Sequence, residues 1–172
     1  MPKVNASQGA EARVFTYKEG LLSTVAHDLE LAVGRLEVDW SEDRVTASFD
    51  LGSLRVLHAV VSGHAAPNAL SIRDLEKIDH TLANDVLHTS RHPEARFESS
   101  SVTASGDGFT LRGTLTLGGR TDELSAVVRR DGTRYTTEVL LDQRRFGITP
   151  YSALLGTLKL KPEVRVRVSV PA

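Results

Sequence analysis

The chain has 172 residues, 40% of them hydrophobic and 25% charged, with a formal net charge of −1 and no cysteine. This composition is typical of one globular domain, which we place at residues 1–172 with a flexible N-terminal extension over 1–10. The missing basic excess disfavours a nucleic-acid partner, and the missing cysteines exclude disulfides and thiolate metal sites.

The sequence also bears on the cellular compartment. The N-terminal stretch MPKVNASQGAEAR has no apolar core of signal-peptide length, and no run of about 18 apolar residues occurs in the chain. We therefore expect a cytoplasmic protein without stable membrane insertion, or a periplasmic protein if the chain is a trimmed mature form.

The first predicted elements lie between residues 20 and 51. The stretch EGLLSTVAHD indicates a short helical turn at about 20–26, and strands follow in which apolar residues alternate with period two. The alternation changes phase between Val33 and Leu36. One added residue at Gly34–Arg35 therefore predicts a β-bulge, which bends a strand. A turn signal at 41–43 then precedes a strand over 44–51.

A single amphipathic helix is predicted at about 72–88. Its apolar residues fall at helical spacing, at Leu75, Ile78, Leu82 and Val86. Ser71 is a candidate N-cap with Asp74 three residues later, and a proline at position 93 limits the helix at its other end. A loop over 64–71 leads into this helix.

The second half of the chain is predicted to be strands joined by tight turns. Asp-Gly pairs within 105–108 and 130–133 indicate hairpins, and the last strand alternates strictly over 164–170. The whole inventory predicts an all-β protein: an antiparallel, lipocalin-like barrel of about eight strands with one helix. Closing such a sheet removes its edges and leaves an interior that side chains fill or that holds one small ligand.

Several segments resemble, in content and order, those of the YceI-like family of lipocalin-like, polyisoprenoid-binding barrels. They are EGLLSTVAHDLEL, VLHTSRHPEARFESSSV, FTLRGTLTLGGRTDELSAVV and RRFGITPYSALLGTLKLKPEV, and the resemblance covers roughly residues 11–170. It implies a barrel with a helix closing one end and an elongated apolar cavity for a long-chain lipid. The family motifs map onto His27, onto His92, Pro93, Phe97 and Ser99, and onto Phe146, Gly147 and Ile148.

Apolar residues of the alternating set are the candidate lining of such a cavity. Alternation alone does not distinguish a packed core from a tunnel, whereas the family resemblance favours a ligand-sized space. The predicted lining residues are Leu31, Val33, Phe49, Phe97, Phe109, Leu111, Leu115, Tyr135, Val139, Phe146 and Ile148.

Three basic residues are candidates for contact with a polar ligand head. Arg144 and Arg145 lie in a charged corner before the last strand, where they either meet a phosphate at the barrel mouth or simply face solvent. His27 is either a polar anchor or a structural histidine. The helix residues His80, His88 and His92 form one stripe, and His88 and His92 have a spacing that a metal site could use, although the stripe is better explained as a solvated face.

The sequence therefore favours a non-enzymatic protein that binds, carries or sequesters an isoprenoid or fatty-acyl lipid inside the barrel. We predict no catalytic residues, metal or cofactor, because no catalytic motif is present. The expected partner is the lipid, and a homodimer is left open. Two alternatives also stay open: a histidine- or metal-dependent enzyme, and an interaction module with a solid core.

Overall fold

The computed structural model describes residues 2–19, 27–153 and 158–172. Strands of two to twelve residues dominate this part of the chain, and all their pairings are antiparallel. The strands are β1 (Lys3–Asn5), β2 (Glu11–Thr16), β3 (Lys18–Glu19), β4 (Asp28–Val33), β5 (Leu36–Trp40), β6 (Val45–Asp50), β7 (Leu54–Val61), β8 (His64–Ala66), β9 (Glu94–Ser105), β10 (Gly108–Leu117), β11 (Arg120–Asp131), β12 (Arg134–Asp142), β13 (Ser152–Ala153), β14 (Leu158–Leu160) and β15 (Glu163–Pro171).

Strand segments that continue one another across a bend form one position in the sheet, here called a column. The strands fall into eight such columns, which agrees with the roughly eight strands that the sequence predicts. Bends divide single columns into β1–β2–β3, β4–β5, β6–β7, β12–β13 and β14–β15, while β8 and β9 share one column beside β6–β7. Every column is paired with the next, and the last pairs with the first through β15 and β2. The antiparallel sheet therefore curls round on itself, which confirms the predicted fold class.

The bend at Gly34–Arg35 lies where the sequence predicts a bulge. β4 ends before this pair and β5 begins after it, and Gly34 N donates to Ser53 O at 3.1 Å while Arg35 O accepts from Asp50 N at 2.9 Å. Further irregularities lie opposite Glu30–Leu31, where β7 has one extra residue, and opposite Arg112–Gly113, where β9 has one. Such extra residues increase local twist and so help a sheet to close.

The predicted helix is present as α1 (Ile72–Thr81), continued by one π-helical turn over Leu82–Val86. Ser71 is the N-cap, as predicted: its hydroxyl accepts from Asp74 N at 3.1 Å, and Asp74 Oδ2 accepts from Ser71 N at 2.9 Å. The helix is fixed on the barrel by Asp79, whose Oδ1 accepts from Val56 N in β7 at 2.8 Å. Its apolar face packs on the core.

The helix ends before the predicted limit of about residue 88. His88 has a φ of 49°, in the left-handed region, and its carbonyl oxygen accepts hydrogen bonds from Arg91 N and His92 N. His88 and His92 therefore lie in a turn rather than on one helical face. The metal hypothesis that relied on their helical spacing is wrong in this respect.

Within the described N-terminal residues 2–10, the strand β1 joins the sheet rather than extending from it. β1 pairs with β5, with Val4 opposite Val38, and a short 3-10 turn over residues 6–8 connects β1 to β2. The predicted helical turn at 20–26 lies outside the described residues. Within the described residues, no helix is long and apolar enough to cross a membrane.

Candidate functional site

The barrel encloses an interior cavity of about 290 Å³. This volume is at the lower end of the roughly 300–1,000 Å³ that small-molecule pockets usually have. Because side chains of a strand alternate between its two faces, each column contributes every second residue to the wall. On β15 these are Val164, Val166, Val168 and Val170, whereas the arginines between them face outward. The interior is therefore not a fully packed core.

Most of the residues predicted to line a cavity do so. They are Leu31, Val33, Phe49, Phe97, Phe109, Leu111, Leu115, Tyr135, Val139 and Ile148. Phe146 is also buried, with 3% of its surface exposed, but it packs in the core of the corner and is not part of the cavity wall.

One part of the wall comes from the helix and was not predicted. Leu82, Val86 and Leu87 border the cavity, from the π-helical turn and the residue after it. The apolar stripe of the helix could have indicated this contribution. Such a stripe shows which face of a helix is buried, but it does not show whether that face borders a cavity or a packed core. The turn after β10 lies beside this end of the helix, since a Cβ on Gly119 would be 2.9 Å from His92 Cε1.

Apolar atoms dominate the wall, and no Asp, Glu, His, Lys or Arg is among its described residues. Its polar side chains are Thr16, Ser41, Thr137 and Gln143, together with Trp40, Tyr135 and Tyr151. Three of them make hydrogen bonds within the protein: Ser41 Oγ with Asp43 Oδ1 at 2.8 Å, Thr137 Oγ1 with Val127 O at 2.8 Å, and Gln143 Nε2 with Lys161 O at 3.3 Å. Thr16 Oγ1 is buried and has no hydrogen-bond partner among the described residues.

The two arginines of the corner are bound to carboxylates outside the cavity wall. Arg144 Nη2 lies 2.7 Å from Asp142 Oδ2, and Arg145 Nε lies 2.6 Å from Asp122 Oδ2. The hydrogen bond from the Arg144 guanidinium holds the pKa of Asp142 below its ordinary value. Both arginines are largely exposed. The corner between β12 and β13 is thus a rim whose positive charges are already paired.

His27 lies near the beginning of the helix and is not part of the cavity wall. Its charge is one of the smaller influences that lower the pKa of Asp74, whose main cause is the hydrogen bond from the Ser71 backbone N–H. His27 is therefore close to the N-cap of α1, on the helix side of the barrel.

The remaining histidines do not assemble a metal centre. No group of three or more His, Cys, Asp or Glu side chains that could hold a metal ion occurs among residues 2–19, 27–153 and 158–172. His80 Nδ1 is 3.2 Å from the amide nitrogen of Asn84, and His58 Nε2 is 2.6 Å from Glu30 Oε2.

Fold and cavity together define an eight-column antiparallel barrel around an apolar chamber, capped at one end by a helix. The chain belongs to the YceI-like family, because the model of the YceI-like domain matches residues 6–172. The family that the sequence resembles is thereby confirmed.

Solved structures of this family share the fold. The protein is similar to BcnA of Burkholderia cenocepacia, with a TM-score of 0.66 and 16% identity over 95% of this chain and 96% of that one. It is also similar to a polyisoprenoid-binding domain of Saccharophagus degradans implicated in plant cell wall breakdown, with a TM-score of 0.62 and 12% identity over 97% and 95% of the two chains. A UPF0312 protein of Pseudomonas aeruginosa is 39% identical over 54 residues, which span 31% of this chain and only 28% of the relative's length.

Proposed function

We propose that the protein binds a long apolar molecule, an isoprenoid or a fatty-acyl lipid, inside the barrel and carries or sequesters it. The observation that carries this proposal is the interior chamber of about 290 Å³ whose described wall holds no charged side chain. The domain of Saccharophagus degradans with the same fold is described as polyisoprenoid-binding, which supports the same class of ligand here.

Burial of apolar surface supplies the binding free energy. Each methylene group transferred from water into the chamber contributes about 0.8 kcal/mol. A chain of roughly a dozen methylenes therefore gains enough to offset the loss of translational and rotational freedom on association. We propose binding rather than catalysis, because general acid-base chemistry needs positioned ionisable groups and the described wall offers only tyrosines.

The first experiment identifies what the protein carries. Native mass spectrometry of the purified protein is expected to show a mass above that of the bare chain, and organic extraction should release an apolar molecule that accounts for the difference. If the extracted protein also fails to bind dodecane or a neutral fluorescent probe such as N-phenyl-1-naphthylamine, the proposal is wrong.

Filling the chamber provides a sharper test. Ala126 lies on the wall, and its neighbour Val127 on the same strand faces outward with 51% of its surface exposed. Ala126→Phe should weaken probe binding by roughly tenfold or more, because the added ring occupies ligand volume and each 1.4 kcal/mol lost is tenfold in affinity. Val127→Phe adds a similar bulk outside and should leave binding unchanged.

A smaller substitution tests the same point with less risk of unfolding the protein. Ala12 lies on the wall of β2 and Arg13 faces outward beside it. Ala12→Leu should reduce binding and Arg13→Leu should not, with thermal unfolding recorded for all four variants. Equal binding by the inward and outward variants, with the fold intact, would show that the ligand does not enter the barrel.

A further inference from the structure

The pairing between β11 and β12 is much shorter than either strand. β11 pairs with β10, and β12 pairs with β15, at nine positions each. β11 and β12 pair with each other at only four, between 128–131 and 134–137. Both strands lie wholly within the described residues, and beyond these four positions 123–127 and 138–142 do not pair with each other. We call this unpaired stretch the β11–β12 gap. Because a closed barrel normally pairs neighbouring strands all round, the gap is a specific feature of its wall.

Fixed contacts limit the β11–β12 gap at both ends. At one end the hydroxyl of Thr137 donates to Val127 O at 2.8 Å, directly beside the last paired position. At the other end Arg145 of the corner is bound to Asp122 of β11, with Nε 2.6 Å from Oδ2. The strands between these contacts span four residues each, a length of roughly 13 Å at about 3.3 Å per residue. The gap is therefore a bounded window and not a general separation of the two strands.

Apolar side chains reach from the chamber to the outer surface at this window. Four residues on its inner face border the chamber: Leu124, Ala126, Val139 and Leu141. Of the five large apolar side chains that are exposed among the described residues, two flank the gap on the outer face, namely Val127 on β11 and Leu140 on β12. The carboxylates at its ends are already bound, Glu138 to Arg167 and Asp142 to Arg144. An apolar path thus leads through the wall.

The two ends of the chamber are bordered by large side chains instead. The helix contributes Leu82, Val86 and Leu87 at one end. Near the hairpin turns at the other end, the rings of Phe109 and Tyr135 have their centres 5.6 Å apart. A molecule that crosses the wall between paired strands has to break ladder hydrogen bonds, which is unfavourable. Passage at the β11–β12 gap breaks no hydrogen bond between the two strands that flank it, so it disturbs less of the structure.

We propose that the β11–β12 gap is the lateral opening through which an apolar ligand enters and leaves the chamber. This inference rests on the proposed function, because it concerns the route of the molecule held there. Val127 and Leu140 offer a methylene chain its first contact, since joining two exposed apolar surfaces removes both from water. The inner residues of the gap then receive the chain. An opening changes the rates of binding and release by the same factor, so affinity does not depend on it.

A crosslink across the gap tests this route. The chain contains no cysteine, so two introduced cysteines give one defined crosslink. Continuing the register of β11 and β12 places Ser125 opposite Leu140, and both are exposed. In Ser125→Cys/Leu140→Cys, a short bis-maleimide ties the two edges of the gap together. The matched control is Arg112→Cys/Ser125→Cys, in which the same reagent joins exposed residues that are already opposite each other in the paired strands β10 and β11.

Stopped-flow fluorescence of N-phenyl-1-naphthylamine measures the rates of binding and release before and after crosslinking. Mass spectrometry quantifies the crosslink, and thermal unfolding checks the fold. Closing the gap should lower both rates by roughly tenfold or more, because the strands can no longer move apart as the probe passes. The dissociation constant should stay the same. The control crosslink should leave both rates unchanged.

A bulky label tests the same route without tying two strands together. Leu140→Cys modified with a polyethylene glycol maleimide places the polymer over the gap and should slow binding and release. The same label on Ser101→Cys, at an exposed position of β9, should slow neither. Unlabelled forms of both variants should exchange the probe as fast as the parent protein.

The outcomes separate this inference from the proposed function. If the parent protein binds the probe but the crosslink and the label at the gap leave the rates unchanged, the lateral opening is refuted and chamber binding stands. Equal slowing in the gap proteins and their controls has the same meaning, because the effect then does not depend on the gap. If the parent protein does not bind the probe, both proposals fail.

Discussion

The inner and outer faces of β12 and β15 share one backbone ladder yet have opposite chemistry. Inward, Val139 lies opposite Val166 and Leu141 opposite Val164, and all four border the chamber. Outward, Glu138 Oε1 is 2.8 Å from Arg167 Nε, and its other oxygen is 3.6 Å from Arg165 Nη1. Exposed ion pairs contribute little to stability, whereas buried apolar side chains contribute much. The inner face should therefore determine stability and binding, and the outer face mainly solubility.

The largest difference between the faces is expected from truncating a leucine on each. Leu31 borders the chamber with 1% of its surface exposed, and Leu140 faces outward with 62% exposed. Leu31→Ala should lower the free energy of unfolding by about 2–5 kcal/mol, because buried apolar contacts are lost. Leu140→Ala should change it by less than about 0.5 kcal/mol. Denaturant unfolding measures both, and equal losses would contradict the distinction.

A smaller effect is expected from adding one methyl group on the inner face of β10. Gly113 is buried beside the irregularity in β9, and a Cβ there would collide with the backbone carbonyl oxygen of Glu98. Gly113→Ala should cost about 1–3 kcal/mol, the usual penalty for overpacking. Its neighbour Thr114 faces outward, and Thr114→Ala serves as the matched control with a smaller loss. A Gly113→Ala protein as stable as the parent would show that the two strands separate easily at this point.

The smallest effect concerns a charge on the outer rim. Because Arg144 lowers the pKa of Asp142 in the folded protein, the pair stabilises the fold fully above the unfolded pKa, about 3.9. This contribution is lost as the pH falls through the lower folded value. Asp142→Asn should therefore be slightly less stable than the parent at neutral pH, and the difference should begin to shrink below about pH 4 and vanish once the pH is below the lowered folded pKa. Thermal unfolding between neutral and acidic pH measures it, and a difference that grows in acid would refute the assignment.

Period-two alternation explains why so much of the chamber wall could be predicted. In β10 and β12 the inward residues other than Gly113 and Thr137 are apolar or aromatic, and their outward neighbours are mostly polar, so the phase is clear. β2 lacks this contrast: Val14 faces inward, but Phe15 faces outward beneath the guanidinium of Arg167, 5.0 Å from its ring centre. Its inward phase, and with it Thr16, was therefore not recognised.

Features that depend on distant partners could not be predicted. The partner of Arg145 is Asp122, on another column, so spacing along the chain gives no indication that this arginine is paired. Likewise, the left-handed conformation of His88 ends the helix early although its apolar periodicity continues to Leu87. The position of Phe146 behind the wall, rather than on it, follows from the tight turn of the corner.

The pairing of β2 with β15, which closes the barrel, has a consequence for how the protein folds. It joins Phe15 to Arg165 and Glu11 to Ser169, residues that are about 150 positions apart. Contacts of such long separation slow folding, because a large loop must be ordered before they form. During synthesis β2 emerges about 150 residues before its partner, so its edge stays unpaired and open to other chains until β15 has been made. The sheet around the apolar chamber therefore closes only after β15 has been synthesised.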